Sequence, residues 1–170
     1  MAINKIRVHS KTEYVIEVND QGDTLVFDLE DTSITSRLFK MYEALDHLKV
    51  KYMGQATELD ARPDEPFTTM DEESPIDGET VHKVLITKNQ YDGMQMLDQF
   101  YTDARHALDQ FLGEGACQKI FGDKNYKTMF EDLMVQLGPE FKKMGINTDL
   151  IKASAAKKHG PKENKYRKVT

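Results

Sequence analysis

The densest helical periodicity in the chain lies between Tyr91 and Phe141, and it constrains the fold more than any other stretch. Apolar side chains recur there at steps of three and four residues, which places them on one stripe of a helix about five turns long. The stripe consists of Tyr91, Met94, Leu97, Tyr101, Ala104, Leu108 and Phe111. Because such a stripe is stable only against a second apolar surface, it needs a partner surface.

Glycines divide the remainder of this stretch into shorter helices. Gly113 is predicted to end the long helix, since glycine readily adopts the left-handed conformation found at helix ends. A short helix is predicted from Ala116 to Phe121, and Gly122 follows it. The pattern indicates a helix, a short elbow and a further helix.

The helix after the elbow begins with a cap at Asp123 or Asn125. Its apolar positions are Tyr126, Met129, Phe130, Leu133, Met134 and Leu137. Gly138-Pro139 is predicted to end it, because proline lacks the N–H that a helix interior needs. Phe141, Met144 and Ile146 indicate one or two further turns.

The N-terminal part has the pattern of a β-hairpin. Tyr14–Val18 and Thr24–Leu29 are rich in β-branched and aromatic residues, and Asn19–Asp23 between them is typical of a turn. Residues Ile3 to His9 fit either an edge strand or a loose end. An isolated hairpin is barely stable in water, so this one is expected to pack on helices or to join another chain's sheet.

A second long helix is predicted after the hairpin, with capping residues at Asp31–Ser33. Its apolar seam consists of Ile34, Leu38, Met41, Leu45, Leu48 and Tyr52. The seam packs either on the Tyr91 stripe or on a copy of itself, and the size of the chain favours packing within one molecule.

Residues 60–79 have a different composition, with three prolines and eight acidic residues against Arg62 as the one basic residue. Repelling carboxylates and helix-breaking prolines predict a long, mobile acidic loop. Thr80–Thr87 follows, and its pattern fits either a third strand or the first turns of the long helix.

Charge and cysteine content limit the classes of protein to which the chain can belong. Residues 152–170 carry seven Lys or Arg against Glu163, so this segment is +6 and the other 151 residues sum to −12. We therefore expect an acidic domain followed by a basic, flexible tail. One cysteine excludes an internal disulfide, and the first residues lack an apolar run of signal-peptide length, which predicts a cytoplasmic protein.

No pattern for catalysis or metal binding stands out. Cys117 follows His106 by eleven residues, but without a recognisable Cys-His signature it is interpreted as a small buried core residue. None of the five histidines has the spacing of a metal site, and the glycines near the elbow lack the Gly-Lys-Ser/Thr ending of a phosphate loop. The sequence predicts a protein that is not an enzyme and has no cofactor.

The predicted fold class is α+β, with an N-terminal antiparallel hairpin or small sheet packed on a mainly helical domain. The domain covers residues 1–151, with the acidic loop at 60–79, and the basic flexible tail covers residues 152–170.

One segment carries a family resemblance. It runs DQFLGEGACQKIFGDKN from Asp109 to Asn125, and MFEDL from Met129 and LGP from Leu137 follow. This segment resembles the tail assembly chaperones of long-tailed phages and prophages of Gram-positive bacteria, most specifically between Leu112 and Asp123. In that family a small acidic protein begins with a hairpin and continues into helices with an Ile-Phe-Gly-Asp elbow.

The resemblance implies a non-enzymatic role in the host cytoplasm: binding and solubilising the tape measure protein during tail assembly. The implied partners are the tape measure protein, a frameshifted longer form of the chain, the tail tube protein and further copies of the chain. No membrane partner is expected, and the acidic charge of the chain outside residues 152–170 opposes nucleic acid. Nine methionines suit a flexible groove for such a client. The predicted partner-binding residues are Tyr91, Met94, Tyr101, Met129, Met134, Lys157, Lys158, Arg167 and Lys168.

Two other functions remain open at the level of sequence. A structural virion component, such as a tail connector, would use the hairpin to extend a sheet between subunits. A small regulatory protein that binds nucleic acid would use the basic tail to contact phosphates, although the acidic remainder of the chain opposes that.

Overall fold

A computed structural model describes residues 12–73 and 79–159 of the 170-residue chain. The fold is α+β, about 60% helical with two small antiparallel sheets, and this confirms the predicted class. The elements are β1 (Glu13–Glu17), β2 (Thr24–Asp28), α1 (Ile34–Ala61), β3 (Pro66–Glu73), β4 (Thr80–Thr87), α2 (Lys88–Leu112), α3 (Ala116–Phe121), α4 (Met129–Lys143) and α5 (Thr148–His159). No helix among the described residues is both long and apolar enough to cross a bilayer.

The chain divides into two compact units. Unit 1 comprises the described residues up to Ala44 and from Arg105 onward, and unit 2 comprises the described residues of Leu45–Ala104. Helices α1 and α2 each contribute residues to both units. Whether residues 1–151 form one domain stays a prediction.

The predicted N-terminal hairpin is present in unit 1. Strands β1 and β2 pair in antiparallel register from Glu13 with Asp28 to Glu17 with Thr24. In the turn, the Asn19 side-chain oxygen accepts the N–H of Gln21 at 3.0 Å and the N–H of Asp23 at 3.1 Å. Asparagine suits this position because its side chain replaces a backbone acceptor in the turn.

The core of unit 1 forms where this hairpin packs on helices. Phe27 of β2 lies 6.0 Å from Phe111 of α2 and 5.9 Å from Phe141 of α4, measured between ring centroids. Phe111 and Phe141 are themselves 5.5 Å apart at a steep angle, which is the edge-to-face geometry that aromatic rings prefer. The hairpin is therefore held by its buried face.

Helix α4 corrects the prediction that Gly138-Pro139 ends a helix, because Pro139 lies inside it. Proline has no N–H for the Val135 carbonyl, but Val135 is 74% exposed, so water can bond that oxygen. Phe141, two residues beyond the proline, is fully buried. Burying this ring offsets the lost backbone bond, and the helix continues.

The end of α4 is set by Gly145, whose φ is +77°. Its N–H donates to the Lys142 carbonyl at 3.0 Å, and the N–H of Ile146 donates to the Phe141 carbonyl at 2.9 Å. This pair of bonds is the Schellman motif, which requires a left-handed residue that glycine supplies without strain. The buried Ile146 side chain supplies the apolar contact that usually accompanies the motif.

Residues 66–73 correct the prediction of a loop over residues 60–79. They form β3, which pairs antiparallel with β4 from Pro66 with Thr87 to Glu73 with Thr80, with an irregular register near Thr68. The helix before them also extends to Ala61. The acidic residues of β3 are tolerated because the strand β4 opposite supplies partners, and residues 74–78 of the predicted loop lie outside the described residues.

Strand β4 settles the choice left open for Thr80–Thr87 in favour of a strand. Across this second hairpin, His82 Nδ1 lies 2.5 Å from an Asp71 carboxylate oxygen, and Lys83 Nζ lies 3.8 Å from Glu72. These pairs are exposed, so each contributes little to stability and mainly relieves repulsion between the β3 carboxylates.

The predicted basic tail at 152–170 also needs correction in part, because α5 continues to His159. Ala155 on this helix is buried, and the packing of this side chain stabilises the helical conformation of the segment. Residues 160–170, like the proposed edge strand at Ile3 to His9, lie outside the described residues.

Candidate interaction surfaces

Cys117 lies in the core of unit 1, as its sequence interpretation predicted. Its side chain is 2% exposed, and its sulfur donates to the Arg105 carbonyl at 3.4 Å. Burial, and then the hydrogen bond with Asp109, raises the pKa of the Cys117 thiol well above its usual range. A thiol held in the protonated form is a poor nucleophile.

Asp109 and Arg105 organise the elbow that carries the family resemblance. The two carboxylate oxygens of Asp109 accept the N–H of Cys117 at 2.8 Å and the N–H of Gly115 at 3.2 Å. The Arg105 guanidinium donates to the carbonyl oxygens of Gly122 at 2.9 Å and Lys124 at 2.6 Å. The resembling residues thus shape the chain path between α2 and α4 within unit 1.

Sequence reasoning missed Arg105. Its guanidinium also bonds the Asn125 side chain at 3.0 Å and lies 5.6 Å above the Phe121 ring. Because its main partners are backbone carbonyls, no residue type in the sequence signals the interaction. An arginine on the polar side of a helix, about two turns before a glycine-rich elbow, is the one signal available.

Metal binding finds no support in the part of the chain that the structure describes. Within residues 12–73 and 79–159, no three His, Cys, Asp or Glu side chains converge as a metal site. The Asp71–His82 pair is 63% and 75% exposed and includes no third ligand.

The predicted partner-binding residues differ in how exposed they are. Tyr101 is 7% exposed and Met129 is fully buried, so the structure gives both a packing role. Met94 is 53% exposed, whereas Tyr91 and Met134 are half-buried. Lys157 and Lys158 belong to α5, and Arg167 and Lys168 lie outside the described residues.

Unit 2 presents most of the exposed large apolar side chains. Eight of the fourteen in the described chain belong to it, although it holds only three of the 21 buried apolar residues. We call these eight the exposed apolar set; they are Val50, Met53, Phe67, Met70, Val84, Leu85, Met94 and Leu97. Exposed apolar side chains that adjoin one another mark interaction sites in many proteins, so this set is the candidate for contact with a partner.

One helix shows the contrast directly. Along the predicted stripe of α2, Leu108 and Phe111 are almost fully buried, whereas Met94 and Leu97 are about half exposed, at 53% and 50%. Tyr91, one turn before Met94, stacks on Phe67 of β3 with ring centroids 4.2 Å apart. The sequence therefore predicted the stripe correctly, but only its C-terminal half is covered.

Unit 2 also carries the negative charge of the protein. Residues 45–104 contain thirteen Asp or Glu against five Lys or Arg, a formal charge of −8, so the remainder of the chain sums to +2. Some carboxylates are paired: Asp103 accepts hydrogen bonds from Gln99 at 2.8 Å and Tyr52 at 2.8 Å. These bonds, the one from Gln99 foremost, hold the pKa of Asp103 below its usual value.

Unit 1 contains a separate cleft between β1 and α4, which we call the β1–α4 cleft. Its volume is about 360 Å³. Its floor is apolar and consists of Ile16, Phe121, Met129, Leu133 and Leu137. The acidic residues Glu17, Asp132 and Glu140 also line it.

Comparisons of the chain with models of known families, with curated proteins and with solved structures give no match.

Proposed function

We propose that this chain is a non-enzymatic chaperone for tail assembly in a long-tailed phage or prophage. In this proposal it acts in the host cytoplasm, where it binds the tape measure protein and keeps it soluble until the tail tube forms around it. The similarity of residues 109–125 to tail assembly chaperones suggests the client, and the surface of unit 2 supports the mode of binding.

The exposed apolar set of unit 2 is the observation that carries the proposal. A long helical client aggregates through its apolar stripes, and a holding protein must offer apolar side chains of its own. Met53, Met70 and Met94 supply side chains that can adapt to an irregular client surface. Burying one such side chain contributes on the order of 1.5–3 kcal/mol, so a few contacts per copy suffice when many copies bind one client.

The charge of unit 2 supports the same proposal. Because every copy carries −8 on this unit, the units of two copies repel, and this discourages association through their exposed apolar residues. A holding protein needs this property, since it must stay available for its client. The same charge opposes nucleic acid as a partner of unit 2.

Co-expression with the tape measure protein tests the proposal. We expect the soluble fraction of the client to rise with the chain present, and the Met94→Asp, Leu97→Asp double variant to lose most of that effect. Val135→Asp is the matched control, because Val135 is an exposed apolar helix residue of unit 1. A client that is equally soluble with and without the chain contradicts the proposal.

The composition of finished particles separates a chaperone from a structural component of the virion. Mass spectrometry of purified particles should detect the tail tube and tape measure proteins and should not detect this chain. Stoichiometric recovery of the chain in particles would favour the structural alternative.

A further inference from the structure

One edge of strand β1 is unpaired in the part of the chain that the structure describes. Within residues 12–73 and 79–159 the strand pairs with β2 alone, so no other described strand bonds the backbone groups on its other side. The free edge of a strand is a template for another strand, and proteins usually cover it or block it with proline or lysine. The β1 sequence EYVIE contains neither.

The register identifies the groups at this edge. The N–H of Val18 donates to the Asp23 carbonyl at 2.9 Å, and the N–H of Leu29 donates to the Thr12 carbonyl at 3.0 Å, so both are hydrogen-bonded pairs of the ladder. Hydrogen-bonded and non-hydrogen-bonded pairs alternate along an antiparallel ladder. The peptide groups of Val15 and Glu17 therefore point away from β2, toward the free edge.

The β1–α4 cleft lies beside this strand. Glu17 and Val18 line one wall, and the opposite wall includes Asp132, Gln136 and Glu140 of α4. A groove between a strand edge and a helix is the geometry in which several domain families bind an extended peptide as an added strand. The apolar floor gives space for side chains of that strand.

The charge of the cleft selects its occupant. Three acidic residues line it, and none of the described residues that line it is Lys or Arg. The Glu140 carboxylate accepts hydrogen bonds from Tyr14 and from Lys143, the latter at 2.8 Å. The Asp132 carboxylate accepts one from Thr128 at 3.0 Å, and Glu17 and Asp132 are both exposed. Long cationic side chains fit this surface, since their aliphatic stems can lie on the apolar floor while their charged ends reach the carboxylates.

The outer face of the hairpin indicates which residues an added strand would carry on its side away from the cleft. Val15 and Val26 form a cross-strand pair there and are 55% and 53% exposed. An apolar residue on an added strand would lie beside Val15 and extend this pair.

We propose that β1 binds an extended segment of another polypeptide as a third strand, seated between β1 and α4, with Lys or Arg at alternate positions and apolar residues between them. This site goes beyond the proposed function, which rests on unit 2. A second copy of β1 is a poor occupant, because antiparallel pairing centred on Val15 would place Glu13 opposite Glu17 and create like-charge repulsion.

A synthetic peptide of alternating lysine and valine, labelled for fluorescence anisotropy, is the direct probe for the full-length chain. We expect saturable binding that weakens with salt, and at least about tenfold weaker binding of a peptide with glutamate in place of lysine. Peptides N-methylated on alternate residues can pair along one edge only. One of the two N-methylated isomers should therefore bind and the other should not, whereas equal binding by both overturns the proposal.

Matched proline variants locate the site. Val15→Pro removes an N–H from the free edge and no bond from the β1–β2 ladder, and Val26→Pro makes the same change on the outer edge of β2. We expect Val15→Pro to weaken binding about tenfold or more and Val26→Pro to leave it within about twofold. Equal affinities for both variants would overturn the proposal.

Two further variants keep the test decisive if Val15→Pro fails to fold. Asp132→Lys changes an exposed cleft residue and should weaken binding of the lysine peptide, while Glu131→Lys, next to it and outside the cleft lining, should not. Removing residues 1–11 should leave binding unchanged. If the peptide binds only after that removal, the edge belongs to the chain's own N-terminal segment and the proposal is wrong.

Discussion

Unit 1 contains 18 of the 21 buried apolar residues of the described chain, and unit 2 contains three. For exposed large apolar residues the distribution reverses, with six in unit 1 and eight in unit 2. Both units contain a hairpin and parts of the same two long helices, so secondary structure does not cause the difference. The difference lies in what covers the helices: in unit 1 the hairpin places Phe27 between two other rings, whereas nearly all of the β3–β4 hairpin is exposed.

The comparison teaches that a hairpin stabilises a helical unit only when one of its faces is apolar and covered. In β2, the alternation of Leu25 and Phe27 with polar or exposed residues gives one buried face. In β3, the adjacent residues Asp71 and Glu72 lie on opposite faces of the strand, so both faces carry charge. Unit 2 is therefore expected to be the less stable part of the fold and the part more dependent on a partner.

Hydrogen exchange should show the largest difference between the units. We expect the interior amides of α4, around Leu133 and Leu137, to exchange only through global unfolding, and the amides of β3 and β4 to exchange at least about a hundredfold faster. Peptide-resolved exchange with mass spectrometry measures both in one sample. Similar protection in the two segments would contradict the comparison.

Removing one aromatic ring from each unit should give the next largest effect. Phe141→Ala deletes a fully buried ring in unit 1 and should lower the free energy of unfolding by about 3–5 kcal/mol. Phe67→Ala in unit 2 loses only its stacking on Tyr91 from a 51% exposed position, so it should cost less than about 1.5 kcal/mol. Urea titrations followed by circular dichroism measure both, and equal losses would mean that unit 2 has a core of its own.

Glycine substitutions should have smaller effects, of opposite sign. Gly145→Ala forces a side chain into φ +77° at the end of α4 and should cost about 1–2 kcal/mol. Gly54 lies inside α1, and a Cβ added there meets no atom within 4 Å. Gly54→Ala should therefore stabilise the helix by up to about 1 kcal/mol, measured by the same titration, and any destabilisation would show that the site is more crowded than the structure indicates.

Local chemistry explains which elements the sequence could predict. The turn at Asn19 and the helix end at Gly113 depend on residues within a few positions, so the sequence alone located them. The helix end predicted at Pro139 was wrong because the burial of Phe141 depends on Phe27 and on α2, far away in the sequence.

Non-local pairing explains what the sequence could not predict. Strand β3 is acidic, and composition predicts a loop there because its pairing with β4 leaves no mark on composition. The β1–α4 cleft depends on bringing Glu17 beside Asp132, and no spacing rule connects those positions. The sequence predicted partner-binding residues along helical stripes, but it could not tell that Met94 is exposed while Met129 is fully buried.

Lowering the pH should reduce the stability of both units through the same cause, the loss of hydrogen bonds to carboxylates, but to different extents. This is the smallest effect we expect. Hydrogen bonds from Lys143 and then Tyr14 hold the pKa of Glu140, in unit 1, below its usual 4.5. Bonds from Gln99, Tyr52 and Lys51 likewise lower the pKa of Asp103, in unit 2, below 3.8. A lowered folded-state pKa means that the folded protein binds fewer protons, so each contribution is present above the unfolded-state pKa and is lost as pH falls through the folded value.

Paired variants turn this into a test of which unit controls global unfolding. Urea midpoints measured between about pH 6 and pH 3 should fall with pH in the wild type, and Glu140→Gln should flatten that fall. Asp103→Asn should flatten it less, because a unit that opens before the global transition contributes little to the measured midpoint. An equal or larger effect of Asp103→Asn would mean that unit 2 unfolds together with unit 1, and its exposed apolar residues would then belong to a unit as stable as its neighbour.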